Sequence, residues 1–189
     1  HEFMTLFKGD GTAYGLYTTP ASGIKEGKKL VGKAATIRKP VTVQLWDSHL
    51  FGEQGLGIIP IDKDSNVHFG AIDIDDYDVT PQRINQLVQQ LALPLVVCRT
   101  KSGGSHCFCF TSAPCEARIM QNKLREFASA LGYGTAEIFP KQTEILAERG
   151  DIGQWINMPY FNAEFTTRFA LHPISDRAMP VDEFIKIAD

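Results

Sequence analysis

The heptapeptide Phe69-Gly-Ala-Ile-Asp-Ile-Asp75 constrains this chain more than any other segment. Side chains of a strand alternate between faces, so Ile72 and Ile74 point into one layer while Asp73 and Asp75 share the other. Val67, Phe69, Ala71 and Ile72 are apolar on both parities, which predicts a central strand with both faces covered. Two carboxylates in such a setting repel each other unless a cation lies between them, and burying them without a partner is costly. A lone Asp-x-Asp more often starts a solvated turn, and Asp76 and Asp78, which follow with Tyr77 and Thr80, read as loop acids of that kind. The covered strand argues for Asp73 and Asp75 as ligands of a divalent ion.

The rest of the chain orders itself around this strand. Residues 67–75 lead to Thr80 and Pro81, a capping residue and a first-turn proline, after which Ile84, Leu87, Val88 and Leu91 recur at helical spacing. Strands are expected over 95–100 and 106–111, parted by a glycine turn. A long amphipathic helix over 114–131, with Ile119, Leu124, Phe127 and Leu131, closes at Gly132, and a short strand covers 136–139. This β-α-β-β-α-β order is a split βαβ unit, in which the first and third strands are central neighbours and the fourth flanks the first. Asp73, Asp75, His106 and Glu137 then fall on one patch of sheet, and His106, Phe108 and Phe110 share a face opposite Cys107 and Cys109.

Upstream, residues 14–18 and 57–61 read as strands, and 40–52 as a helix entered at Pro40, carrying Val43, Leu45, Trp46 and Leu50 and ended by Gly52. Downstream, 155–160 reads as an apolar strand in which Asn157 is placed to bond a sugar or base, with Tyr160 a second candidate near the sugar. Trp155 and Tyr160 read as core rather than as stacking platforms. Residues 168–171 and a helix over 181–188 read as finishing elements.

A chain of 189 residues can bury one core, or two small lobes around a cleft. No apolar run approaches the roughly 20 residues needed to span a bilayer, and no signal-peptide pattern opens the sequence, so no membrane partner and a cytoplasmic location are expected. The residues ahead of Met4 (1–3) look like a cloning remnant and are set outside the fold. Cys98, Cys107, Cys109 and Cys115 lack the spacing of a zinc ribbon and read as buried free thiols. A net charge of −3 argues against a general nucleic-acid coat, yet charge is unevenly placed. Lys25, Lys28, Lys29, Lys33, Arg38 and Lys39, opposed only by Glu26, form either a solvated loop or a phosphate-binding edge.

The turn Lys101-Ser-Gly-Gly-Ser-His106 is the second chemical signal. Its plain reading is a hairpin turn, but Gly103 and Gly104 can aim backbone N–H groups at an anion, with Ser102 and Ser105 beside them. Arg99, Lys101 and His106 supply donors in the number a triphosphate uses, and a place opposite Asp73 and Asp75 favours the phosphate reading. Glu137 is a candidate third metal ligand and Lys141 a candidate phosphate contact, a surface ion pair being the alternative for each. A serine-nucleophile elbow, a zinc-protease helix and a Gly-x-x-x-x-Gly-Lys phosphate loop are all missing from the sequence. A rolling-circle nicking site fails because His106 is followed by Cys107 and Phe108.

Taken in order, Asp73-x-Asp75, the glycine turn ending in His106 and an acidic residue on a later strand resemble the three motifs of the archaeo-eukaryotic primase superfamily, above all the primase-polymerase domains of phages, plasmids and mobile elements. His49-Leu-Phe-Gly52 followed by Gly57-Ile-Ile-Pro60 is similar to the lead-in of those domains. The resemblance runs over about 41–160. It implies an α/β (α+β) fold in which an N-terminal α/β module packs on an RNA-recognition-like βαββαβ module with the active site in the cleft. On this reading 4–189 is a single catalytic domain, with 4–62 the N-terminal module, 63–160 the RNA-recognition-like module and 161–189 finishing elements.

The resemblance further implies two divalent ions, Mg²⁺ or Mn²⁺, on Asp73 and Asp75, and an incoming nucleotide's triphosphate at His106 and residues 102–105. Expected partners are a single-stranded DNA template and primer, NTP or dNTP, and a helicase outside this chain, in a bacterial or phage-infected cell. The chain would be an excised catalytic core that joins nucleotides during replication of a phage or mobile element. Two departures stand out: Gly104 occupies a place where many such domains carry Ser, and the third acidic residue, often Asp, is Glu137. A non-catalytic single-strand binding module, stacking bases on Phe108 and Phe110, is the alternative from another class. A palm-like nucleotide cyclase, which needs no template, is a second enzymatic one.

Overall fold

Two antiparallel four-stranded sheets, with helices packed on them, give the α+β architecture expected. The computed structural model describes residues 2–18, 25–26, 29–30 and 33–188. His1, Lys28 and the side chains of residues 25, 26, 29 and 30 lie outside the described residues, and with them half of the basic stretch.

In chain order the elements are α1 (Glu2–Leu6), β1 (Tyr14–Thr18), β2 (Lys25–Glu26), β3 (Lys29–Leu30), β4 (Lys33–Ile37), α2 (Val43–Leu50), β5 (Gly57–Ile58), β6 (Asn66–Ile74), α3 (Pro81–Gln90), β7 (Val96–Arg99), β8 (Ser105–Glu116), α4 (Ala117–Ala130), β9 (Glu137–Phe139), β10 (Ile156–Asn157) and α5 (Val181–Ala188). Short 3-10 turns lie at Ala147–Arg149 and Ala163–Phe165.

The first sheet runs β7-β8-β6-β9, the predicted order with β6 and β8 at the centre. Thr80 caps α3 by accepting the Arg83 N–H at 3.3 Å, and Pro81 fills the first turn, where its missing N–H costs nothing. Ile84 and Val88 of α3 and Met120 and Leu124 of α4 cover one face, closing a core with Ile72, Ile74, Val97 and Cys107. The other face carries Phe69, Ala71 and Phe108 into a second core with Phe7, Trp46, Tyr160 and Phe184. A β-bulge between Val67 and Phe69 explains why these two residues of equal parity enter opposite cores.

The second sheet, β10-β5-β1-β4, is assembled from separated pieces. β1 and β4 pair from Tyr14↔Ile37 to Thr18↔Lys33, while β5 and β10 add two-residue strands through Gly15↔Gly57 and Asn157↔Gly57.

Several boundaries differ from expectation. The strands predicted over 57–61 and 155–160 shrink to β5 and β10, because Pro60 and Pro159 have no N–H to extend a ladder. α4 starts at Ala117 rather than 114, since Cys115 and Glu116 prolong β8 to meet Val67 and Asn66. α2 starts at Val43, after Thr42, rather than at Pro40. Phe3, set outside the fold from sequence, is 4% exposed and meets Trp46, Tyr160 and Phe184 at ring distances of 5.6, 5.9 and 5.9 Å. An aromatic ring of that size gains too much by burial to stay in solvent once α1 forms against α5. Among the described residues no helix is long and apolar enough to cross a membrane.

Candidate active site

Pairing across the first sheet brings the acidic residues to the basic turn. Asp73 on β6 stands directly opposite His106 on β8 and Glu137 on β9. The His106 Nε2 lies 3.4 Å from Asp73 Oδ1, with 12% and 20% of the two side chains exposed. Asp75 follows just past the end of β6, and its Oδ1 accepts the Tyr77 O–H at 2.9 Å. Burial first, then the hydrogen bond and charge of Asp75 and the charge of Asp73, push the Tyr77 phenol up to about 12, so it stays a donor. The Tyr133 O–H donates to Asp76 at 2.9 Å, and the Asp78 N–H to Asp76 at 3.1 Å, which keeps Asp76 in the loop as expected.

A cavity of about 350 Å³ opens over this patch, at the lower end of small-ligand sites. Asp73, Asp75, Tyr77, residues 98–102, His106 and Glu137 form one wall; Tyr17, Ala34, Trp155 and residues 157–159 form the other, and Arg168 joins them. The Lys101 Nζ lies over the Tyr17 ring and ties the two walls together. Arg99 donates to the Thr167 carbonyl at 3.1 Å.

The glycine turn differs from expectation in how it is used. Lys101, Ser102 and His106 line the cavity; Gly103, Gly104 and Ser105 do not. The Gly103 N–H donates to Thr100 O at 3.1 Å and is thereby removed as an anion donor, while the Thr100 N–H closes the turn on Gly104 O at 2.9 Å. Ser105 is 1% exposed and, on the strand parity opposite to His106, faces the helical core. A Cβ on Gly104 would come within 2.6 Å of Ile74 O, so the serine of similar domains has no room here. Glu137, with 61% of its side chain exposed, pairs with Lys141 at 3.0 Å, and Lys141 stands over the Phe139 ring outside the cavity.

Other assignments change with burial. Tyr160 is fully buried, donating to Met179 O at 2.9 Å and accepting the Ala170 N–H at 3.1 Å, so it is no sugar contact. Phe108 is fully buried too, and Phe110 stacks on it and meets Phe184 edge-on. The four cysteines are free, but only Cys98 and Cys107 are buried as expected, Cys109 and Cys115 lying partly exposed towards the far end of β8; burial pushes the Cys107 thiol up to about 12.

Sequence reasoning missed Arg168. Its Nη1 is buried without a hydrogen-bond partner, its guanidinium stands 4.9 Å over the Phe161 ring, and burial lowers its pKa. A cation in that position calls for an anion from the cavity. No local pattern distinguishes Arg168 from a surface arginine. Thr100, whose Oγ1 is buried without a partner, likewise reads from sequence only as the end of a strand. Tyr77, two residues after Asp75, had a usable signal in that spacing.

His49 works behind the wall. Its Nδ1 accepts the Leu56 N–H at 3.0 Å and its Nε2 donates to Pro159 O at 2.8 Å, a pattern open only to the neutral ring. Burial accordingly pushes it down to about 4, against the raising effect of its bond to Pro159. Among the described residues no three His, Cys, Asp or Glu side chains gather closely enough to hold a metal by themselves.

No curated protein matches the sequence. The family model described as the archaeo-eukaryotic primase domain of the TOTE conflict system matches residues 17–175, a span that takes in every cavity-lining residue. The chain therefore belongs to the archaeo-eukaryotic primase domains of TOTE conflict systems, within a superfamily of primase-type nucleotidyltransferases that generally use divalent metals.

Proposed function

We propose that this domain catalyses template-directed nucleotidyl transfer on single-stranded DNA. The observation that carries the reading is the pairing of Asp73 with His106 at 3.4 Å in one cavity with Asp75, Arg99, Lys101 and Arg168. An acidic focus beside a cluster of cations suits a triphosphate and its counter-ions. In the reaction a primer 3′-hydroxyl oxygen bonds to the α-phosphorus of the nucleotide, the bond from that phosphorus to pyrophosphate breaks, and the hydroxyl proton passes to water.

The carboxylates suit Mg²⁺ or Mn²⁺. Hard oxygen donors are what these ions take, and Mg²⁺ is commonly held by one or two carboxylates plus water and substrate phosphates. Asp73 and Asp75 meet that requirement without a third protein ligand, and Glu137, occupied by Lys141, is the weaker candidate. When bound, the ions would supply positive charge that lowers the hydroxyl pKa and offsets the charge of the leaving group.

The protein's own part is placement. Tyr77 fixes the Asp75 carboxylate through a donated hydrogen bond. Arg99, Lys101, Ser102 and Arg168 face the phosphate oxygens, and His106 links them to the acidic side. Asn157, on the far wall, is the candidate contact to sugar or base. Single-stranded template and primer, NTP or dNTP, and a separate helicase are the partners we propose. The family description moves the setting from replication of a mobile element to a conflict system. Full burial of Phe108 weighs against the base-stacking module.

The test is extension of a labelled primer on single-stranded template with Mg²⁺ or Mn²⁺ and either nucleotide set. Metal-dependent products that vanish in Asp73→Ala support the reading. Undiminished extension by that variant would remove it.

A further inference from the structure

We infer that Trp155 is the platform on which the nucleobase of the bound nucleotide stacks, an assignment that rests on the nucleotidyl-transfer reading above. The second sheet has a strip without side chains beneath the Trp155 indole. Gly15 on β1 and Gly57 on β5 are direct cross-strand partners, and neither carries a side chain. The indole of Trp155 lies on that strip. A Cβ on Gly15 would fall 1.9 Å from Trp155 Cδ2, and one on Gly57 would fall 2.3 Å from Cε3. The indole Nε1–H donates to Thr36 Oγ1 at 3.1 Å, which fixes the ring's orientation in its plane.

Trp155 packs at the margin of the first core, but a tryptophan that only fills a core needs no such seat. Here two adjacent positions are kept at glycine size beneath the ring, the ring's polar atom is tied down at the sheet, and the side chain is half-buried and lines the cavity. The Asp73–His106 pair lies on the opposite wall. A nucleotide whose phosphates reach Arg99, Lys101 and Arg168 therefore has a flat apolar surface available for its base. Stacking of this kind accepts every base, because each has a π face, and so it leaves base choice to a template. Rigid seating matters because a ring already fixed in place gives up little entropy on binding.

The experiment is equilibrium binding of dATP and, separately, of inorganic triphosphate to the whole chain in Mg²⁺, followed by calorimetry and by tryptophan emission. dATP is expected to quench the emission and inorganic triphosphate to leave it unchanged. Trp155→Ala should weaken dATP about tenfold, within the range of base–aromatic stacking, with triphosphate affinity unaltered. Trp155→Phe should recover most of the loss. Gly15→Ala touches no ligand but displaces the indole, and should reproduce the alanine variant's selective loss. Equal losses for dATP and triphosphate, or dATP affinity unaffected by Trp155→Ala, would overturn the platform while leaving the nucleotidyl-transfer reading intact. Failure of the unaltered chain to bind either probe would overturn both.

Discussion

The two sheets are built by opposite strategies. β6, β8 and their neighbours come from one continuous stretch, residues 66–139, and each strand is long enough to carry its own pattern. The sheet that faces them is pieced together from residues 14–18, 33–37, 57–58 and 156–157, and two of its strands are two residues long. The first holds the acidic and basic chemistry in a fixed register. The second shapes the space in front of it. The lesson is that the proposed reacting groups sit where local sequence dictates geometry, while the wall that faces them depends on contacts spanning a hundred residues or more, such as Asn157↔Gly57 and Trp155 to Thr36.

If that division is right, variants on the first sheet lower turnover and variants on the second alter binding. Asp73→Ala should cut the rate of primer extension by about a thousandfold or more while the thermal midpoint hardly moves, since a half-buried acid contributes little to the core. A large fall in the melting temperature would mean that the pair with His106 is structural instead. Where the sheets meet, Phe3→Ala should cost about 3 kcal/mol or more in urea unfolding, the usual range for a buried phenylalanine. No loss would return the first residues to the outside of the fold.

His49 tests the anchoring of the second wall, because it joins Leu56, just before β5, to Pro159. Its folded pKa of about 4 lies below the ordinary 6.5, so the fold prefers the neutral ring. The stability it contributes is complete above pH 6.5 and is lost as the pH falls towards about 4, amounting to about 3 kcal/mol. His49→Gln should lose that much less than the unaltered chain between pH 7 and pH 4, whereas parallel unfolding curves would remove the assignment. Arg168→Lys should have the smallest effect, raising the nucleotide KM about tenfold at nearly constant kcat, because a lysine cannot reproduce the guanidinium's fork. A fall in kcat alone would put Arg168 with the reacting groups and blur the division.

The same contrast explains what the sequence disclosed. Alternation in β6, the Thr80-Pro81 helix start and the glycine turn are local signals, and they carried the sheet order and the Asp73, Asp75 and His106 cluster. Glu137 was placed beside Asp73 by strand order, but its pairing with Lys141 depends on side-chain rotamers that strand parity does not encode. Arg168 and Trp155 reach the cavity only through the second sheet and the segment after it, so no spacing rule pointed to them. Gly104 reads as a turn residue, whereas its neighbour Ile74 O, thirty positions away in sequence, is what excludes a side chain.

The bulge between Val67 and Phe69 has a consequence for how the domain tolerates change. Between its flanking pairs β6 has one residue and β8 has four, so the start of β6 is fastened by the entry to α4, where Ala117 N–H bonds Ser65 O at 2.9 Å, without dictating the phase of the strand's far end. The two ends are thus set independently, like two clocks with separate winding. Deleting His68 would restore plain alternation and leave the isoleucines of residues 72 and 74 among the helices, whereas losing a residue between Phe69 and Asp73 would open the oily side to the cleft and drive the carboxylates among the helices.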